Sequence, residues 1–129
     1  MTGDVDLESA PYWAALVEHR LVLQRCGSCS RHRFPPMPSC PWCGTTDTDV
    51  VEARGQGTVY SWVTVRRPFG DAWAGDVPYI IAAVELDEGC RVFARVDVDA
   101  DDVAAGLRLD ARYVDHDGWS ELRFAPSAP

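Results

Sequence analysis

The chain has 129 residues, 47% of them hydrophobic, with five Trp, enough apolar material for one domain or two small modules sharing a core. No apolar run approaches the roughly 20 residues of a membrane span, and the acidic start MTGDVDLESAP does not read as a secretory signal, so a soluble, cytoplasmic protein is expected. The net charge of −8 argues against sequence-independent nucleic-acid binding, and with all twelve basic residues Arg and none Lys, Schiff-base chemistry is closed to the chain.

Residues 6–20 read as a short helix, with Ser9 as N-cap and Pro11 in the first turn. Tyr12, Trp13, Leu16 and Val17 share one face. That face either packs on its own domain or docks on a partner, and two large aromatics on so short a helix keep the second option open. LVLQR (21–25) reads as a strand. RHRFPPMPSCPWCG follows as a Pro-rich irregular stretch suited to tight turns.

From Val50 onward the periodicity becomes two. GTVYSWVTVRR (57–67) alternates, VPYIIAAVEL (77–86) is more continuously apolar, and CRVFARVDV (90–98) pairs with it across Asp87-Glu88-Gly89. Residues 99–106 read as one helical turn, acidic at its start and ending on Gly106. LRLDARYVDH (107–116) and WSELRFAP (119–126) form a last hairpin around Asp117-Gly118. Five strands with a helical turn between the third and fourth is the order of a Greek-key OB-type barrel. The expected division is a helix (1–20), a metal ribbon (21–49), an OB fold (50–126) and a short tail (127–129). The fold class is therefore mostly β.

Cys26, Cys29, Cys40 and Cys43 form a C-x2-C-x10-C-x2-C pattern. Each C-x2-C sets two sulfurs on one turn, and two such knuckles complete a tetrahedron of thiolates around one ion. Protein fills all four positions, so the ion is structural. Two disulfides are the alternative, disfavoured in a reducing compartment. Zinc is favoured; CPWCG also resembles the second knuckle of rubredoxin, so iron is the competing metal. Four thiolates on a divalent ion leave a net charge of about −2. Four Arg and no acid lie between Arg20 and Thr45, and they either offset that charge, the reading favoured for Arg25 and Arg31, or form a phosphate-binding surface.

The markers LVLQRC, RFPP, CPWCG, GQGTVYSW and VELDEG occur in an order that resembles the zinc-ribbon/OB-fold proteins of domain-of-unknown-function family 35, over roughly residues 10–125. The resemblance implies a helix, a rubredoxin-like zinc ribbon and an OB fold. It also implies a non-catalytic partner of a thiolase-like enzyme or of an acyl-CoA hydratase. Some relatives of this kind pair with a thiolase-like lipid-transfer protein and support retro-aldol cleavage of a steroid side-chain CoA thioester. The Lys-free, Arg-rich composition fits a GC-rich genome and inclines the reading to that role. Two positions depart from the family pattern: Arg123-Phe124-Ala125-Pro126 replaces a Phe-Arg-Pro ending, and Cys90 replaces an aliphatic residue.

With a coenzyme A thioester as the implied shared ligand, Arg66, Arg67, Arg91 and Arg95 are the candidates for its phosphates, since guanidinium binds phosphate in planar bidentate fashion. The alternative is that they are solvated faces paired with acids. Tyr12, Trp13 and Leu16, together with Phe69 and Trp73 of the loop FGDAWAGDVP, are the candidate partner contacts. Cys90 has no His nearby in sequence and reads as a small core residue. No His completes a triad, so no catalytic residue is assigned. A competing function is single-stranded nucleic-acid binding, with Tyr60, Trp62 and Phe93 stacking on bases.

Overall fold

A computed structural model describes residues 7–68 and 70–128. The helix α1 (Ala10–Val17) carries Pro11 in its first turn, and the Ser9 carbonyl accepts the Trp13 N–H at 3.2 Å. It is shorter than its periodicity suggests. His19 adopts φ 60, and the His19 and Arg20 amides turn back to the carbonyls of Leu16 and Ala15 at 2.9 Å each. A left-handed residue with back-bonded amides terminates a helix.

Three strands build the ribbon: β1 (Val22–Cys26), β2 (His32–Arg33) and β3 (Thr48–Glu52), in the order β2-β1-β3. β3 has no counterpart in the sequence-based expectation. Its segment TDVVE is polar and mostly exposed. It is a strand because its backbone pairs with β1 across five residues, from Val22–Glu52 to Cys26–Thr48. Backbone pairing of this kind leaves no hydrophobic signature.

The remaining strands are β4 (Gln56–Val65), β5 (Tyr79–Leu86), β6 (Arg91–Val96), β7 (Arg108–His116) and β8 (Trp119–Pro126). They form a closed barrel in the order β4-β5-β6-β8-β7, with β6 and β8 parallel and β7 returning to β4. The barrel interior is Val59, Ile80, Val84, Val92, Val96, Leu109, Leu122 and Phe124, all buried. The expected helical turn after β6 is a pair of turns instead. A single Asp102 N–H to Asp99 carbonyl bond of 2.9 Å closes the first, and Val103 drops into the core between them.

A bulge between Val59 and Ser61 changes the alternation expected for β4. Val59 points inward, but after the extra residue Tyr60 it is Val63 that joins the outer face, opposite Ile81. One inserted residue exchanges the two faces of a strand. The core is continuous across the modules: Tyr12, Ala15 and Leu16 of α1 and Leu21–Leu23 of the ribbon join the barrel residues in one cluster. Tyr12 also meets Phe34 of the ribbon, ring centroids 5.3 Å apart.

Candidate metal centre and docking surface

The two cysteine knuckles are built alike. Ser30 N–H returns to the Cys26 carbonyl at 3.0 Å, and Gly44 N–H to the Cys40 carbonyl at 2.9 Å. Each turn places the residue after its second Cys at positive φ, 65 for Ser30 and 79 for Gly44. Only the second knuckle has the residue that adopts this conformation without strain. The Cys29 and Ser28 amides point at the Cys26 sulfur, at 3.3 and 3.4 Å.

The four Sγ atoms lie within 4.8 Å of one another, with Cys26–Cys43 at 3.5 Å and Cys29–Cys40 at 3.7 Å. A tetrahedron with metal–sulfur bonds of about 2.3 Å has edges of about 3.8 Å. A disulfide needs about 2.05 Å. The cluster therefore has the dimensions of a metal site, and all five cysteines are free thiols. Without metal, the Cys29 amide, against burial and aided by Ser28, holds the Cys26 thiol down to about 6. Cys43 accepts from Thr45 but is pushed up to about 11, chiefly by its neighbour Cys26 and by burial. Cys26 is thus already biased toward the thiolate that a metal requires.

Of the candidate partner contacts, Tyr12 is 9% exposed and Leu16 1%, both against the chain's own barrel. The helix face is a packing face at these two positions, which corrects the docking assignment for them. Burial, then Tyr113, pushes the Tyr12 hydroxyl up to about 12, as expected of a core phenol. Trp13 is half-buried and lines a groove of about 390 Å³ with Phe93, Ile81, Trp119 and Tyr79. Phe69 lies outside the described residues, and Trp73 is described only as part of a short 3-10 turn, Asp71–Trp73.

The four candidate phosphate arginines do not converge. Arg66 and Arg67 are exposed just beyond the end of β4. Arg95 bonds Asp76 at 2.9 Å and lies over the Tyr79 ring at 4.5 Å, near the same barrel end. Arg91 sits at the opposite end of β6, 3.5 Å above Tyr60. The pairing alternative therefore holds for Arg95.

An exposed apolar field remains that the helix reading did not single out. Phe93 is 72% exposed, Val63 60% and Tyr60 52%. Register places Ser61, Ala83 and Phe93 in one row on the outer face of β4-β5-β6, with Val63, Ile81 and Arg95 in the next. The strand alternation carried this signal, but the bulge at Tyr60 concealed which residues share the face. Trp42, on the second knuckle, is also exposed and packs against Arg31, whose guanidinium lies 5.1 Å from its ring.

Cys90, the cysteine outside the four-sulfur cluster, is not an activated nucleophile. Burial, then Glu88, pushes the Cys90 thiol up to about 11. His19 meets Asp115 and His116 meets Glu121, each at 2.8 Å, and each ring stacks on an aromatic, Tyr113 and Trp119 respectively. No helix among the described residues is long and apolar enough to cross a membrane.

Two family models match the chain in sequence order. The rubredoxin-like zinc ribbon domain of ChsH2 matches residues 13–49, and the C-terminal OB-fold domain of ChsH2 matches residues 50–114. A probable enoyl-CoA hydratase alpha subunit from Thermomonospora curvata is 36% identical over 97% of this chain. A 3-oxo-4,17-pregnadiene-20-carboxyl-CoA hydratase alpha subunit from Mycobacterium tuberculosis is 32% identical over 92% of it. The chain spans only 39% and 38% of those two relatives. Among solved structures, a chain of the Ltp2-ChsH2(DUF35) aldolase is similar with TM-score 0.87 and 34% identity, over 98% of this chain and 99% of that one.

Proposed function

This chain belongs to the DUF35 family, with the zinc ribbon and OB-fold domains of ChsH2, and from that premise we propose that it is the non-catalytic small subunit of a thiolase-like acyl-CoA enzyme. The observation that carries the reading is the exposed apolar field around Phe93, Val63 and Tyr60, beside a Cys90 thiol that burial keeps protonated. A surface of that kind marks a protein–protein contact. The full-length likeness to a chain of the Ltp2-ChsH2 aldolase supports the same role.

In this reading the partner supplies the reacting groups for retro-aldol cleavage of a CoA thioester with a steroid-type acyl group. The Tyr60–Phe93 face and the Trp13–Trp119 groove dock on it. Arg66 and Arg67, exposed at the barrel end, reach the phosphates of coenzyme A. Zinc at Cys26, Cys29, Cys40 and Cys43 holds the ribbon rigid between helix and barrel; their sulfur spacing fits that ion.

A second reading, a partner or domain of an acyl-CoA hydratase, is favoured by the two hydratase alpha subunits. One experiment separates them. The chain is purified alone and with each candidate partner encoded beside it, and retro-aldol cleavage and hydration of steroid acyl-CoA thioesters are assayed. Cleavage by the complex and not by the isolated chain is expected. Hydration alone moves the assignment to the second reading, and full activity of the isolated chain refutes both.

A further inference from the structure

The ribbon contains a buried charge that its neighbours do not neutralise. Arg33 is 2% exposed. Its Nε donates to Gln24 Oε1 at 2.9 Å, and its Nη2 to Thr48 Oγ1 at 2.7 Å and to the Met37 carbonyl at 3.4 Å. Every one of these acceptors is neutral, and Nη1 is buried without a partner. Asp47 and Asp49 of the ribbon, and Glu85, which lines a second surface groove together with Arg33, make no ion pair with it among the described residues. A guanidinium buried among neutral groups is costly unless an opposite charge is close enough to be felt through the low-dielectric interior.

The register shows where that charge lies. Gln24 and Cys26 are two apart on β1 and therefore share a face of the sheet. Arg33 is paired with Gln24, and Thr48 is paired with Cys26. Paired residues share a face, so Arg33, Gln24, Thr48 and the ligand Cys26 all project to one side. Strand spacing puts the guanidinium on the order of 10 Å from the four sulfurs. Arg25 and Arg31, which sequence proximity favoured for this role, are exposed, and water screens them.

We propose that Arg33 is the buried counter-charge of the four-cysteine centre, raising its metal affinity and favouring a divalent over a trivalent ion. Four thiolates carry −2 in total with a divalent ion and −1 with a trivalent one. A fixed buried cation stabilises the former more. The inference rests on the four-thiolate reading of the site, so one metal ion per wild-type chain, counted by native mass spectrometry, is established first and separately.

The test is metal competition with a chromogenic zinc chelator and, on iron-loaded protein, the potential of the one-electron Fe(III)/Fe(II) couple, with a mediator supplying the electron. Arg33→Met is expected to weaken zinc binding on the order of tenfold and to move the iron potential to more negative values. Arg33→Lys keeps the charge and the wild-type potential even where it lowers folding stability. Arg25→Met and Arg31→Met leave both readouts near wild type. Wild-type affinity and potential in Arg33→Met overturn the proposal, as does a shift of equal size in Arg25→Met. Should Arg33→Met not fold with zinc present, Gln24→Glu neutralises the guanidinium in place. It carries the same expected tenfold loss, and unchanged zinc affinity there overturns the proposal.

Discussion

Truncating Phe93 separates docking from folding. Its ring is 72% exposed and stands in the outer row of β6, so the isolated chain gains little from it. A buried Phe removes at least roughly 150 Å² from water. Covering the exposed part on a partner, at about 25 cal/mol per Å², is worth on the order of 2–3 kcal/mol. Alanine keeps only the Cβ, so Phe93→Ala is expected to weaken assembly by about 30- to 100-fold. The unfolding free energy of the chain alone should stay within about 0.5 kcal/mol of wild type, as for other exposed positions. Titration calorimetry with the partner gives the first number, and urea unfolding at fixed zinc gives the second. Unchanged affinity would place the interface elsewhere. A destabilised monomer with unchanged affinity would mean that Phe93 packs within its own chain and the docking argument is wrong.

Cys26→Ser is expected to abolish metal binding, ribbon folding and assembly together, since metal affinity in such ribbons is folding energy; a variant that assembles stably without metal contradicts this. Ser30→Gly relieves a left-handed residue and should stabilise the chain by about 1 kcal/mol in denaturant unfolding. Gly57→Ala should destabilise by about 1–3 kcal/mol or prevent folding, because its Cβ would stand 2.4 Å from the Glu85 carbonyl oxygen where β4 is clamped between β5 and β7. Gly70→Ala, with open space and extended backbone, is its neutral control. Acid should unfold the protein through its paired carboxylates. Asp87 is held below the usual carboxylate range by the Arg108 fork at 2.6 and 2.7 Å, and Asp115 by Ser120 and His19. Burial raises Glu121, but Arg123 and His116 outweigh it and bring it below its ordinary value. Depressed native values give stability that is complete above the unfolded range, about pH 4, and lost as pH falls through the folded values. Stability measured against pH should therefore drop below about pH 4, and Asp87→Asn should flatten part of that slope.

The cysteine spacing, the hairpin turns and the alternating strands were legible because they depend on residues close in the chain. Two sulfurs on one turn, a Gly-bearing turn between apolar runs and a period of two are local requirements. Each barrel strand accordingly lies within about two residues of its expected place. Other features depend on what arrives from elsewhere in the chain. β3 is a strand only because β1 offers it five backbone partners. Tyr12 and Leu16 face inward because the barrel lies beneath the helix, and the bulge at Tyr60 decides that Val63 and Phe93 share one surface. Arg33 reads in the sequence like its neighbours Arg25 and Arg31. Only the pairing of β1 with β2 and β3 buries its charge on the face of Cys26, because solvent exclusion belongs to the assembled sheet and not to any one residue.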